Sequence, residues 1–444
     1  MSEDERVEAL LEAMSLEDKV GQVMVGFFRG ATLTEELRET LGHVRLGGVI
    51  LYASTGNIEH PGQVAELVRE IQRFAARVAL PSPFVAIDQE GGLVSRLVEG
   101  VTVFPGNMAL GATGDEVLAE AQGRIGAREL RTLGITWNFA PVVDVNSNPA
   151  NPIIGIRSFG SSPEDVARLG AALGRPYAAE NVLCAAKHYP GHGDTDIDSH
   201  LGLPRINGDL RRLERVELAP FDALVRAGVP AIMTAHVVVP ALESGEPLPA
   251  TMSPAVLGRL RRQGFEGLIV SDSLGMGALD KTWGTPEAAV RALAAGCDVL
   301  VFGADKGHEP AEQREIAQTL VMAVRRGRIP QDRLDDAVRR MLRAKVRLGL
   351  LEDPWPRERE MALLAAPENL EVAERIAQKS ITLVRGRVLG DAERQGRIPL
   401  IWPADRRSAA EVLVGACPSL LPRFLSRDAA PEQRAEVLRD LAQA

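Results

Sequence analysis

The chain has 444 residues, 45% of them hydrophobic and 25% charged, the composition of an ordinary globular protein. No apolar run approaches the roughly 20 residues that a membrane helix needs, so a membrane partner is not expected. A formal net charge of −9, from 51 Lys+Arg against 60 Asp+Glu, disfavours a nucleic-acid partner, because such a surface draws its affinity from neutralising phosphates.

In chain order, the opening MSEDERVEALLEAM is acidic and amphipathic, with neither the basic start nor the apolar stretch of a secretory signal, and a cytoplasmic location is expected. Ser15 can cap a helix and Asp18 can reply from its third position, close to a capping box. Eight short runs rich in Val, Ile and Leu follow: Val23 to Phe28, Gly48 to Tyr52, Phe84 to Asp88, Ile135 to Phe139, Val182 to Lys187, Ala231 to Ala235, Gly267 to Asp272 and Cys297 to Phe302. Helical periodicity falls between them at Gly62 to Val78, Gly114 to Leu133, Ser162 to Glu180, Leu210 to Ala227, Ser253 to Gln263 and Pro286 to Ala295. Strand and helix in alternation predict a parallel sheet, either open and doubly wound or closed into a (β/α)8 TIM-type barrel. Many of the runs end in polar residues: Asp88, Asn138, Lys187 with His188, His236 and Asp272. In a barrel all strand ends meet at one mouth, whereas an open sheet gathers only those at its switch point, and the barrel is therefore preferred.

Helical segments at Pro310 to Arg325 and Arg333 to Leu348 complete the barrel, and Glu352-Asp353-Pro354-Trp355-Pro356 reads as a linker. The expected division is a barrel over residues 1–350, a linker over 351–365 and a small α/β C-terminal segment over 366–444. Within that segment Leu370 to Lys379 and Pro431 to Ala442 read as helices, and Ile381 to Arg385 and Ile398 to Trp402 as strands. Cys184, Cys297 and Cys417 are far apart and form no CxxC pair, which suits buried reduced thiols.

Histidine is scarce, seven in the chain, yet His188, His192 and His200 share one thirteen-residue window, His188 to His200 of KHYPGHGDTDIDSH. His188 and His192 stand four apart, a metal-ligand spacing on a helix, but Pro190, Gly191 and Gly193 break any helix there, and no metal is expected. The bland alternative is a glycine-rich loop whose polar groups bond its own backbone. In an extended segment Asp198 and His200 project to one side, where the carboxylate fixes the imidazole tautomer and raises its pKa, as proton transfer near neutrality requires. No GxSxG elbow supports a serine nucleophile. Asp272 ends the apolar run of GLIVSDSLGM and is either a nucleophile or base at the mouth or a cap of the next helix. In VAIDQEGGLVSR the Gly pair is too short for a dinucleotide fingerprint, and no cofactor is expected. Its carboxylates and Arg96 suit hydroxyl groups of a ligand or a surface ion pair equally well. Arg157, in IGIRSFG, carries no signal by itself.

Taken together, MSLEDKVGQ, AIDQEGGLVSR, IGIRSFG, KHYPGHGDTDIDSH with the following LGLP, and SDSLGMGAL resemble glycoside hydrolase family 3, in its β-N-acetylglucosaminidase (NagZ-like) branch, over about Met14 to Leu350. The resemblance implies a (β/α)8 barrel and a retaining, exo-acting hydrolase of small carbohydrates bearing terminal β-linked GlcNAc, from muropeptides or chitooligosaccharides. It implies Asp272 as the nucleophile, His200 as acid and base, and Asp198 as its dyad partner. It assigns Asp88, Arg96, Arg157, Lys187 and His188 to substrate binding. A histidine acid departs from the usual pair of carboxyls about 5 Å apart, and it avoids a second anion beside the nucleophile. Two departures from the family pattern, Leu93 and Gly275, bear on the aglycone side. Phosphorolysis of a β-N-acetylglucosaminide and β-glucosidase activity stand as alternative reactions. A non-catalytic sugar-binding barrel is the alternative outside enzymes, and the oligomeric state is left open.

Overall fold

Eight short apolar segments make one parallel sheet that closes on itself. The computed structural model describes residues 2–381 apart from 196–201, 244, 246 and 306. Its barrel strands are β1 (Met24–Phe27), β2 (Gly48–Leu51), β3 (Phe84–Ile87), β4 (Trp137–Asn138), β5 (Leu183–Tyr189), β6 (Ala231–Thr234), β7 (Leu268–Val270) and β8 (Leu300–Phe302). They neighbour one another in the order β8-β1-β2-β3-β4-β5-β6-β7. The ring is completed by a parallel bridge between Val270 and Val299 and by the Ser271 and Leu274 amides, which donate to Val299 O at 2.9 Å and Val301 O at 3.0 Å. All eight expected strands are present, and the open sheet is excluded.

Alternation along the strands builds two cores. Val25, Phe27, Phe84, Ala86, Trp137, Phe139, Met233 and Val270 point into the barrel, while Met24, Val49, Val85, Ile87, Ile232 and Ile269 point outward under the helices. Trp137 stands edge-on to Phe84 at 5.1 Å and to Phe139 at 5.3 Å between centroids, filling the interior with rigid rings. The barrel is thus a packed core, and its ligand space lies at the mouth.

The helices follow the expected positions with adjusted ends. Ser15 and Asp18 do form a capping box at the start of Leu16–Gln22. The expected helix over Leu210 to Ala227 divides into Leu210–Arg215 and Ala219–Arg226, because Pro220 opens the second piece and lacks the N–H that a continuous helix would use. Ser162 to Glu180 similarly passes from an α-helix, Pro163–Gly174, into 3₁₀ turns over Arg175–Glu180, with Pro176 at the join. Gln331–Arg347 crosses the end opposite the mouth, where Met341 and Leu350 seal the interior.

The linker is tied down. The Arg131 guanidinium donates to Trp355 O at 2.7 Å and Asp353 O at 2.8 Å, and Glu129 accepts from the Ala365 amide at 2.9 Å and from Asn369 at 3.1 Å. The next helix, Pro367–Lys379, packs on Asn107–Thr113 and Glu116–Thr132 of the barrel. The expected elements beyond it, and Cys417, lie outside the described residues. Cys184 and Cys297 are buried and unbridged, and burial pushes the Cys184 thiol up to about 12. Among the described residues no helix is long and apolar enough to cross a membrane.

Candidate active site

Three strand ends carry the expected chemistry to the mouth. Asp88 follows β3, Lys187 and His188 lie near the end of β5, and Asp272 follows β7. Lys187 Nζ donates to Asp88 Oδ1 at 2.7 Å and to Glu90 Oε1 at 2.8 Å. Arg157, in the loop after β4, grips Glu90 with two bonds, Nε to Oε2 at 2.9 Å and Nη2 to Oε1 at 2.8 Å. Arg96 lies 3.7 Å from the Asp88 carboxylate and rests on the Tyr52 ring, 5.6 Å from its centroid. Asp88, Arg96, Arg157, Lys187 and His188, the residues that the resemblance assigned to substrate binding, are therefore brought together at the mouth.

The electrostatics favour one ionised set. Burial alone would raise the Lys187-linked carboxylate of Glu90, but Arg157 and Lys187 outweigh it and hold Glu90 far below the usual range. Lys187 itself is shifted upward: burial works against its charge, and Asp88 and Glu90 more than restore it. The Asp272 carboxylate is likewise lowered, because His188, His236, Lys187 and the Ser273 amide prevail over its desolvation. An acid kept anionic among cations has the charge a nucleophile needs.

Asp272 caps no helix. The next helix, Gly277–Trp283, begins after Met276, and Asp272 Oδ1 accepts instead from the Ser273 amide at 2.7 Å. That turn is held from two sides. His236 Nε2 donates to Ser273 O at 2.7 Å, and Ser273 Oγ accepts from the Gly303 amide at 2.8 Å while bonding Asp305. At Gly275 an added Cβ would lie 2.9 Å from Asp305 Oδ2 and 3.0 Å from His308 Cδ2, so a larger residue would displace those side-chain ends.

Sequence reasoning passed over Glu90 as an individual residue and missed Asp144. Asp144 is fully buried and accepts from His188 Nδ1 at 2.7 Å, from the His188 amide at 3.2 Å and from the His192 amide at 2.7 Å. An ionised carboxylate only accepts, so His188 donates to Asp144 from Nδ1, and its Nε2 lies 3.4 Å from Arg157 Nη2. Asp144 closes the apolar run Phe139 to Val143, the same signal that marks Asp88 and Asp272. His192 is buried, with Nδ1 2.7 Å from Thr195 Oγ1, and Gly193 is needed because a Cβ there would come within 1.8 Å of Val145 O. The expected Asp198–His200 dyad lies outside the described residues. Among the described residues no cluster of His, Cys, Asp and Glu is arranged to hold a metal.

The mouth of this (β/α)8 barrel thus gathers ionised carboxylates and cations at its strand ends, the place where barrel enzymes build their active sites. The model of the glycosyl hydrolase family 3 N-terminal domain matches residues 15–344, and the chain belongs to that family. Beta-hexosaminidase A of Pseudoalteromonas piscicida is 38% identical over 338 residues, 71% of this chain and 56% of that protein. The chain thus spans little more than half the length of that relative. Among solved structures, a family 3 β-N-acetylglucosaminidase from Paenibacillus sp. str. FPU-7 is 41% identical with a TM-score of 0.78, covering 85% of this chain and 71% of its own. The beta-glucoside phosphorylase BglX, bound to 2FGlc, is 27% identical with a TM-score of 0.79, covering 88% and 70%.

Proposed function

We propose that this protein is a retaining exo-β-N-acetylglucosaminidase that releases terminal β-linked GlcNAc from muropeptide or chitooligosaccharide fragments in the cytoplasm. The observation that carries the reading is Asp272, held ionised at the end of β7 by His188, His236 and Lys187. The names of the relatives agree with it, and two buried unpaired thiols suit a reducing compartment. In this reading residues 1–350 are the catalytic unit, 351–365 the linker and 366–444 an accessory segment.

In the first step Asp272 attacks the anomeric carbon and the bond to the aglycone oxygen breaks, while that oxygen takes a proton from His200. In the second, His200 takes a proton from water, water attacks the glycosyl carbon and Asp272 leaves as carboxylate. Asp198 holds the imidazole and stabilises its charged form. Asp88, Arg96, Lys187, Arg157 and His188 bind the ring hydroxyls, and their fixed geometry orients the anomeric carbon for attack.

The test is incubation with a 5-fluoro GlcNAc donor, or with a 2-deoxy-2-fluoro sugar, followed by peptide mapping. A glycosylated Asp272 is expected, and a wild-type chain that leaves aryl β-GlcNAc intact while cleaving the β-glucoside refutes the substrate. The likeness to a β-glucoside phosphorylase favours a second reading, transfer to phosphate, because a histidine repels an approaching phosphate less than a carboxylate does. GlcNAc-1-phosphate formed in phosphate buffer would establish that reaction. Ligand binding without turnover, unchanged in Asp272→Ala and His200→Ala, would establish a non-catalytic barrel.

A further inference from the structure

Glu90 stands in the hairpin strand Gln89–Gly91, two residues beyond Asp88, yet it differs from Asp88 in what it can reach. Its side chain is 2% exposed, against 16% for Asp88. Both oxygens are occupied: Oε1 accepts from Lys187 Nζ and Arg157 Nη2, each at 2.8 Å, and Oε2 accepts from Arg157 Nε at 2.9 Å. A carboxylate so enclosed is not placed to accept from a sugar hydroxyl. It joins two cations that come from different parts of the barrel, one from β5 and one from the loop after β4.

Lys187 has three N–H donors, and Asp88 and Glu90 take two. Among the described residues no other acceptor bonds its ammonium, which leaves the third N–H available to a ligand. Without Glu90, the ammonium and the guanidinium would lose the anion that they share, and Asp88 would be drawn into neutralising both. Its oxygens would then be less available to sugar hydroxyls. The planar Arg157 fork would also lose the bidentate contact that sets its orientation.

We infer that Glu90 is a positioning residue, a buried anion that fixes Lys187 and Arg157 in place and keeps Asp88 free to bind the sugar hydroxyls furthest from the scissile bond. The inference rests on the proposed glycoside chemistry of this mouth. In Glu90→Gln the amide oxygen can still accept from both cations, but the shared negative charge is gone and the NH2 group confronts Arg157 Nε.

The experiment compares wild type, Glu90→Gln, Lys187→Met and the double variant on an aryl β-GlcNAc and on its 4-deoxy analogue, with melting temperature followed throughout. Glu90→Gln is expected to lose about 10- to 100-fold in kcat/KM on the parent substrate, more through KM than through kcat. The loss shrinks on the 4-deoxy sugar, and adding Glu90→Gln to Lys187→Met costs little more. A purely structural role would lower both substrates alike. Equal losses on the two substrates, strict additivity with Lys187→Met, or activity within about twofold of wild type would overturn the inference. Glu90→Asp, which keeps the charge but withdraws it, is measured alongside and is expected to show the same KM-weighted loss should Glu90→Gln fold poorly. Cleavage of the aryl β-glucoside alone would refute the GlcNAc assignment separately, and the same comparison on that glucoside would still decide the role of Glu90.

Discussion

At the scale of the residue, the proposed roles of Asp272 and His200 separate kinetically. Asp272→Ala should reduce turnover to background with every leaving group. His200→Ala should lose about 10²- to 10⁴-fold on alkyl or sugar aglycones, which need protonation, and far less on activated phenols. Equal losses on both classes would remove His200 from the acid role. Because the folded Asp272 titrates below its ordinary 3.8, the nucleophile stays ionised down to that value, and any acid limb of kcat/KM above about pH 4.5 has to come from another group. Substituting Asp272 by Glu and recording the limb checks this. His192 is governed by burial, which pushes it from 6.5 to about 4, with Asp144 opposing and His188 assisting the shift. The unfolded chain then binds a proton that the folded chain refuses between pH 6.5 and 4. Stability is full above 6.5 and is lost as pH falls through that window, by roughly 3 kcal/mol in all. Denaturant unfolding should show this slope in wild type and a flatter one in His192→Gln. The polar strand-end residues were legible in the sequence because each ends an apolar run. Asp144 carries the same signal and was overlooked, whereas Glu90 ends no apolar run, and the partners of both, His188 for one and Arg157 and Lys187 for the other, stand 44 to 97 positions away.

At the scale of the element, the end of the barrel opposite the mouth is held by charge. Asp298, fully buried just before β8, accepts from the Ile269 amide at 2.8 Å and from Arg333 Nη2 at 2.7 Å, and it also pairs with Arg261. Asp298→Ala would leave these cations without their shared anion and should cost about 3–5 kcal/mol. Thermal unfolding measures that cost, while kcat/KM well below the transition should match wild type, because the mouth is built at the other strand ends. A selective fall in kcat/KM with unchanged melting would contradict this division between stability and function. The strands themselves were readable from composition, since each lies in a short apolar run, most of them rich in Val, Ile or Leu. The splitting of the helical stretches at Pro176 and Pro220 was less so, because apolar periodicity runs on through a proline that the backbone cannot accommodate in mid-helix.

At the scale of the whole molecule, closure of the ring places a lysine in the floor. Lys345 is fully buried, with Nζ 2.8 Å from Gln22 Oε1, and burial pushes its ammonium from 10.5 down to about 7. Between pH 7 and 10.5 the unfolded chain holds this proton and the folded chain does not. Stability is therefore full only above 10.5, and it rises as pH increases from about 7, by up to roughly 1.4 kcal/mol per unit from this group. Lys345→Met should flatten that rise in urea titrations between pH 7 and 9, and an identical slope in the variant would show that another group governs it.

Local sequence determined the alternation of strands and helices, the capping box at Ser15 and Asp18, and the residue types that end the strands, because these depend on periodicity and on bonds within a few positions. It also carried the motifs by which the chain resembles its family. The tertiary structure decided which of those residues meet. Closure between β7 and β8 brings Asp272 into the company of Lys187, His188 and His236, and the crossing of the loop after β4 sets Arg157 on Glu90. These pairings are long-range Coulomb and hydrogen-bond contacts, created when the barrel closes, and no spacing along the chain encodes their distances.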